Sequence, residues 1–322
     1  MNDPIHIALA ADHRYLPGLL VTAASIMRSA RERDRLRFHI FSAGLSEEDK
    51  CRICSLMSEY SVLKPAFLNP DMAAIATRFK AYKGSHAAFI RIFLTDFIDA
   101  DWVLYSDVDT LWMRDVAELW NLRDNAASIM WCQDLPSIAK GVHEYAKKWD
   151  PEFDEAKYCC SGVTLMNLKR LREMNLPERC IEFVSKWGTP FFVDQDILNY
   201  VCREDAKILP QHWDCLVPTR EAVNGLVYHF TGIGAMFNSI FSGWRPLYYP
   251  WFRFYYDHIL KEPRRIVCPW FKRILFWVLG TFYPPECLLS LFLPKNKPIF
   301  DNIRRQVFFA WLWRHAKWRK DQ

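Results

Sequence analysis

Apolar runs of strand length alternate with helix-length stretches from the first residues onward, and this alternation restricts the fold more than any other feature. Ile5–Ala11, Leu36–Ser42 and Ser61–Leu68 read as extended segments, separated by Leu16–Ala30 and Glu47–Glu59 as helices. A βαβαβ order dictates an α/β fold with a mostly parallel central sheet and helices on both faces. Ligands of such sheets bind beyond the carboxyl ends of the strands, where Asp12 and Asp107 fall. At 322 residues and 51% hydrophobic composition the chain can bury a large core.

The run Trp102-Val-Leu-Tyr-Ser-Asp107-Val-Asp109 carries a hydrophobic strand into two carboxylates one residue apart. In extended backbone residues i and i+2 share a face, so Asp107 and Asp109 can converge on one hard divalent cation. The triplet alone also suits a solvated turn whose aspartates cap a helix starting near Trp112.

Charge is unevenly distributed. Residues 1–262 carry 30 Lys+Arg against 34 Asp+Glu, whereas residues 263–322 carry 12 against 3 and hold five of the fourteen tryptophans. This divides the chain into a body, 1–262, and a basic aromatic extension, 263–322. A nearly neutral body with a basic, aromatic tail argues for a local anionic partner rather than a nucleic-acid-binding fold. Within the extension, Asp301–Lys320 sets Ile303, Val307, Phe308, Trp311 and Leu312 roughly along one side, with Arg304, Arg305, Arg314, Lys317, Arg319 and Lys320 around them. That pattern suits a helix lying on an anionic membrane surface, or one packed on the body with a basic rim. The longest uncharged run there, Ile274 to Pro285, is 12 residues, short of the roughly 20 needed to span a bilayer.

The N-terminus lacks a basic stretch followed by an apolar one, which points to a cytoplasmic chain, peripheral on the inner face of the membrane if the extension binds lipid. Ten cysteines without scaffold spacing read as reduced thiols, and Cys51-x-x-Cys54 has no second pair to complete a zinc site.

Further segments surround the Asp-x-Asp: Asp12-His-Arg-Tyr15 after the first strand, Phe89-Ile-Arg91 in a helix over about 85–97, Cys160-Ser-Gly162 entering an extended run, Asp194-Gln195-Asp196 opening a helix, and His229-Phe-Thr-Gly232. In this order and spacing, over about residues 5–250, the chain resembles glycosyltransferase family 8, the retaining sugar-nucleotide-dependent enzymes that include bacterial lipopolysaccharide glucosyl- and galactosyltransferases.

The resemblance implies a GT-A fold, Rossmann-like, and a reaction moving a hexose, glucose or galactose, from a UDP-sugar to a lipid-linked or lipopolysaccharide-type saccharide. It implies that Asp107, Asp109 and His229 hold manganese or another divalent cation, that Asp12 and Tyr15 hold the uracil ring, and that Arg91 lies beside the sugar and the acids. It further implies that Gly162 lines the sugar pocket, that Asp194 and Gln195 flank the anomeric carbon, and that the Gly232 backbone approaches the diphosphate. Taken singly these residues have plainer readings: His229 a hydrogen-bonded core histidine, Gly232 a turn, Asp194 a charge favouring a helix N-terminus, and Arg91 a buried ion pair with Asp107 or Asp109.

The sequence departs from the family pattern where Ala235 replaces a lysine near the diphosphate, with Arg245 a nearby candidate substitute, where Arg14 replaces an asparagine, and where Cys160-Ser161 replaces Asn-Ala. Loss of the lysine removes a charge-assisted contact of about 1.5–3 kcal/mol and motivates a second reading, a catalytically silent relative that binds nucleotide-sugar or glycan. A third is a peripheral-membrane adaptor whose body is purely structural.

Overall fold

Extended segments recur in the order β1 (Ile5–Ala11), β2 (Leu36–Ser42), β3 (Ala66–Leu68), β4 (Trp102–Ser106), β5 (Thr110–Trp112), β6 (Ile129–Gln133), β7 (Cys159–Asn167), β8 (Lys207–Leu209) and β9 (Val227–His229). Seven of them form one sheet in the order β3-β2-β1-β4-β7-β6-β8, and β5 pairs with β9 in a separate ribbon. The computed structural model describes residues 3–81, 84–216, 227–231, 251 and 254–261. Gly232, Ala235, Arg245 and the extension 263–322 lie outside these residues.

Neighbours β3, β2, β1 and β4 run parallel, as does β6 with β8, while β7 is antiparallel to both of its neighbours. The sheet is thus mostly parallel, as its apolar runs require: all nine residues of β7 and all five of β4 are buried, because helices cover both faces.

Helix α1 (Leu16–Ser29) follows β1 and α2 (Glu47–Glu59) follows β2. Pro17 in the first turn and the Ser46/Asp49 capping box fix their starts, satisfying backbone donors that a helix leaves unpaired. The later helices are α3 (Met72–Arg78), α4 (Val116–Trp120), α5 (Pro136–Ala146), α6 (Leu168–Glu173), α7 (Leu176–Trp187) and α8 (Val193–Val201).

Three local expectations change. The segment carrying Arg91 is a 3-10 helix, Ala87–Asp96, not an α-helix. The run Ser61–Leu68 contributes only the short edge strand β3. No helix begins near Trp112; that residue ends β5, and α4 starts after Asp115, whose carboxylate accepts from the Ala117 amide at 3.0 Å. The competing force is tertiary: Thr110-Leu-Trp112 pairs with Val227-Tyr-His229, more than a hundred residues away.

By spatial clustering the chain divides into two units, Met1–Leu216 with Gly225–His229, and Val217–Asn224 with Phe230–Gln322. The first contains the sheet and the site below. In the second, the described residues include a π-helical turn, Tyr255–Ile259. Among the described residues no helix is long and apolar enough to cross a membrane. The eight described cysteines are free, and Cys51 and Cys54 sit on α2 with partial or full exposure.

Candidate active site

The two acids of the Asp-x-Asp are presented by a turn rather than by extended strand. Strand β4 stops at Ser106, the chain folds through Asp107-Val108-Asp109, and β5 begins at Thr110. The Asp107 backbone fastens the turn: its amide donates to Gly162 O at 2.7 Å, and its carbonyl accepts from Ser106 Oγ at 3.1 Å and Thr110 Oγ1 at 3.0 Å. Helix α1 supports β5 through small buried residues, Thr22 Oγ1 donating to Thr110 O at 2.9 Å and Ser25 Oγ accepting from the Trp112 amide at 3.0 Å.

The ribbon supplies the third group. Its register sets Thr110 opposite His229, so the residue next to Asp109 pairs with the histidine. His229 Nε2 lies 3.2 Å from Asp109 Oδ1 and 3.8 Å from Asp107 Oδ2. The histidine is buried, whereas the side chains of Asp107 and Asp109 keep 27% and 18% exposure, leaving a path from solvent to the carboxylates.

Gly162 completes the arrangement. On β7, opposite the Asp107 turn, it lies so close to the imidazole that a Cβ there would come within 2.5 Å of His229 Nδ1 and closer still to the ring carbon beside it. The glycine is required by this approach rather than by an unusual backbone angle.

These residues fit a divalent cation. One ligand atom from each of Asp107, Asp109 and His229 falls within 4.8 Å of the others. Asp109 Oδ1 is buried, with the His229 ring 3.2 Å away as the group that offsets its charge. Two carboxylates and one imidazole suit a borderline-hard divalent ion. Burial disfavours a charged His229, but the carboxylates of Asp214 and Asp109 outweigh it and hold its pKa well above the usual range. Burial likewise raises Asp107, against the pull of Arg91.

Arg91 links the two acids of the turn to the second half of the site. Almost fully buried, it donates from Nη2 to Asp107 Oδ1 at 2.6 Å, from Nε to Ala88 O at 3.1 Å and from Nη1 to Ser161 O, and its Nε lies 3.0 Å from Asp194 Oδ2 as an ion pair. Its guanidinium lies 4.3 Å from the centre of the Tyr105 ring, a cation–π contact. The neighbouring acids Asp107 and Asp194 outweigh burial and keep it charged.

Asp194 opens α8 and accepts from Ser161 Oγ at 3.2 Å. Burial pushes its pKa up to about 6 although Arg91 pulls it down. The residue before it, Val193, has φ +36°, an uncommon conformation for a β-branched side chain and the kind of strain that collects at functional sites.

Gln195 is held from both ends. Its Oε1 accepts from the Ser161 amide at 3.1 Å, and its Nε2 donates to Asp134 Oδ2 and Tyr158 Oη, each at 2.8 Å. Tyr158 in turn donates to Asp196 Oδ1 at 2.6 Å, and Tyr145 to Asp196 Oδ2 at 2.8 Å. Burial raises the pKa of both Asp134 and Asp196.

Asp12 and Tyr15 stand at the same edge of the sheet, since β1 and β4 are parallel with Ala8 opposite Tyr105. Asp12 caps the 3-10 turn His13–Tyr15, accepting from the Tyr15 amide at 3.2 Å and from Arg14 Nη2 at 3.1 Å.

The structure therefore brings together Arg91, Asp107, Asp109, Gly162, Asp194, Gln195 and His229, and sets Asp12 and Tyr15 on the same edge. Sequence reasoning missed Tyr105, Asp134, Tyr158, Ser161 and Asp214. Asp134 opens, and Tyr158 lies four residues beyond, the polar stretch Asp134–Asp154, which reads as a loop but contains α5, marked by Ile138, Val142 and Tyr145 at helical spacing. Asp214, between Trp213 and Cys215, carries no local signal.

The description Glycosyl transferase family 8 matches residues 6–232. The chain belongs to this family. A Haemophilus influenzae protein named as a glycosyltransferase is 26% identical over 226 residues, covering 69% of this chain and 66% of that protein. The lipopolysaccharide 1,2-glucosyltransferase of Escherichia coli is 23% identical over 223 residues, 67% of this chain and 63% of that enzyme. The chain thus spans just under two thirds of the length of these two curated relatives. The solved galactosyltransferase LgtC, in complex with donor and acceptor sugar analogues, superposes with a TM-score of 0.62 at 23% identity, covering 71% of this chain and 87% of that one. The family 8 chain described here therefore has the GT-A-like α/β fold expected from its motifs.

Proposed function

We propose that this family 8 chain is a metal-dependent hexosyltransferase. It moves glucose or galactose from a UDP-sugar, with retention of configuration, to a lipid-linked or lipopolysaccharide-type saccharide. The observation that carries the reading is the convergence of Asp107, Asp109 and His229, joined through Arg91 to Asp194. The activities named for the relatives, a lipopolysaccharide glucosyltransferase and a galactosyltransferase, support the choice of hexose and acceptor class.

Asp107, Asp109 and His229 would hold a divalent cation, which would supply Lewis-acid charge for a departing diphosphate. Arg91 orients Asp107 through a charge-assisted hydrogen bond and adds a fixed positive charge nearby. Asp194, ionised above about pH 6, offers negative charge toward an oxocarbenium-like sugar. Gln195 is a weak nucleophile whose amide is engaged at both ends, and the Asp194 carboxylate is tied to Arg91 and Ser161. Both observations support front-face attack by the acceptor hydroxyl, hydrogen-bonded to the leaving phosphate oxygen, over a double displacement. Asp12 and Tyr15 hold the uracil ring. Residues 1–262 form the catalytic body, and the basic extension 263–322 holds it on the inner face of the membrane.

The test is a panel of UDP-sugars incubated with manganese or chelator, with and without truncated lipopolysaccharide, reading UDP release and product anomeric configuration. Acceptor-stimulated, manganese-dependent release from one donor, with the anomeric configuration retained, is expected. Tight UDP binding without turnover of any donor would favour the silent relative, for which Ala235 in place of the family lysine is the motivating observation.

A further inference from the structure

The imidazole of His229 is addressed on both nitrogens. Nε2 faces Asp109 and Asp107, while Nδ1 lies 2.9 Å from Asp214 Oδ1 and 3.8 Å from Cys160 Sγ. Asp214 has no exposed surface, and its other oxygen, Oδ2, has no hydrogen-bond partner among the described residues. A carboxylate buried this completely is costly unless hydrogen-bond donors meet it, and the Nδ1 side of His229 meets it.

Backbone pairing sets the two side by side. The Cys215 amide donates to Val227 O at 2.8 Å and Cys215 O accepts from the His229 amide at 3.2 Å, so Asp214 is locked in register against the strand carrying the histidine. The 3-10 turn Gln211–Trp213 delivers Asp214, and the Gln211 side chain donates to its backbone carbonyl at 2.9 Å. With Gly162 pressed against the ring, the imidazole has little freedom to flip or tilt.

We propose that Asp214 is the positioning residue of the metal site. It accepts the Nδ1–H of His229, so that the Nε2 lone pair is presented to the cation shared with Asp107 and Asp109. The inference rests on the metal-site reading above. A carboxylate behind a ligating histidine fixes the tautomer and makes the ring a stronger donor, and its loss typically costs 10–100-fold in metal affinity. A competing arrangement exists: Cys160, Asp214 and His229 also bring ligand atoms within 4.8 Å of one another. The partly exposed Asp107 and Asp109 favour the Nε2 side, since Cys160 and Asp214 are buried.

The experiment measures manganese affinity of the full chain without donor, by the paramagnetic resonance signal of free Mn2+, in wild type, His229→Ala, Asp107→Asn, Asp214→Asn, Asp214→Ala and Cys160→Ser. Melting temperature is recorded for each protein without metal. Asp214→Ala is expected to bind manganese 10–100-fold more weakly. Asp214→Asn, which keeps an oxygen for Nδ1–H but loses the charge, is expected to fall between it and wild type, and it carries the test if the alanine variant does not fold. Cys160→Ser is expected to stay within about twofold, a silent control for a side chain outside the proposed coordination.

Asp214 variants that melt earlier yet bind manganese like wild type would make the residue purely structural and overturn the proposal. A loss in Cys160→Ser matching that in Asp214→Ala, with Asp107→Asn unaffected, would put the ion on the Nδ1 side and overturn it differently. Failure of wild type to bind manganese, or unchanged binding in His229→Ala, would remove the metal-site reading and this inference with it.

Discussion

Gly162 shows how much a single missing methyl group decides. Its Cβ would occupy the space of the His229 ring, so Gly162→Ala must displace the proposed ligand or the strand. Overpacking of this kind costs about 1–3 kcal/mol, and we expect kcat/KM to fall more than tenfold with a modest loss of melting temperature. Unchanged kinetics would mean that the ring can move without consequence. Asp194 yields a prediction in pH. Its folded pKa of about 6 exceeds the ordinary value of 3.8, so the folded chain binds this proton more tightly than the unfolded chain. The stability it contributes is complete below the unfolded value and declines as pH rises through about 6. Activity that needs the carboxylate moves the opposite way and falls as pH drops through about 6. Asp194→Asn should remove both trends, checked by urea melts between pH 4 and 7 and by kcat at saturating metal and donor.

Among the elements, β7 and α8 form the frame on which the second half of the site hangs. Asn199 joins them by two bonds to one residue, its Oδ1 accepting from the Cys159 amide and its Nδ2 donating to Cys159 O, both at 2.8 Å. Asn199→Ala leaves both backbone groups of a buried residue without these partners, and each such loss costs about 1–3 kcal/mol. A urea-denaturation midpoint lowered by at least 1 kcal/mol in equivalent stability is expected, with kcat reduced because Gln195 and Asp194 ride on the same helix. An unchanged midpoint would show that solvent replaces both bonds. The strands were legible because their apolar runs are continuous: β1 and β2 coincide with the segments read from sequence. The ribbon β5–β9 was not legible, since a three-residue strand reveals itself only through its partner, and so the aspartates looked like helix caps. Asp107, Asp109 and His229 could be read as a set from their motifs, whereas Asp214 is defined by pairing of Cys215 with β9 and is invisible to local pattern.

At the scale of the whole molecule, the sheet places Asp12 and Asp107 at the ends of adjacent parallel strands, which is where an α/β sheet binds ligands. A cation that binds the folded chain alone should stabilise it by about 2.7 kcal/mol at a hundred times its Kd, visible as a rise in melting temperature reversed by chelator. The basic extension belongs to the same scale: if it meets an anionic surface, removal of residues 263–322 should abolish sedimentation with anionic vesicles while leaving UDP binding intact. The central claim is that Asp107, Asp109 and His229 bind the cation through which a sugar nucleotide is held. Calorimetric titration of UDP into wild type and Asp109→Asn, with manganese and with chelator, tests it most directly. The account predicts binding to wild type with manganese, weakened at least tenfold by chelator or by Asp109→Asn; UDP binding of equal strength under all these conditions would contradict it.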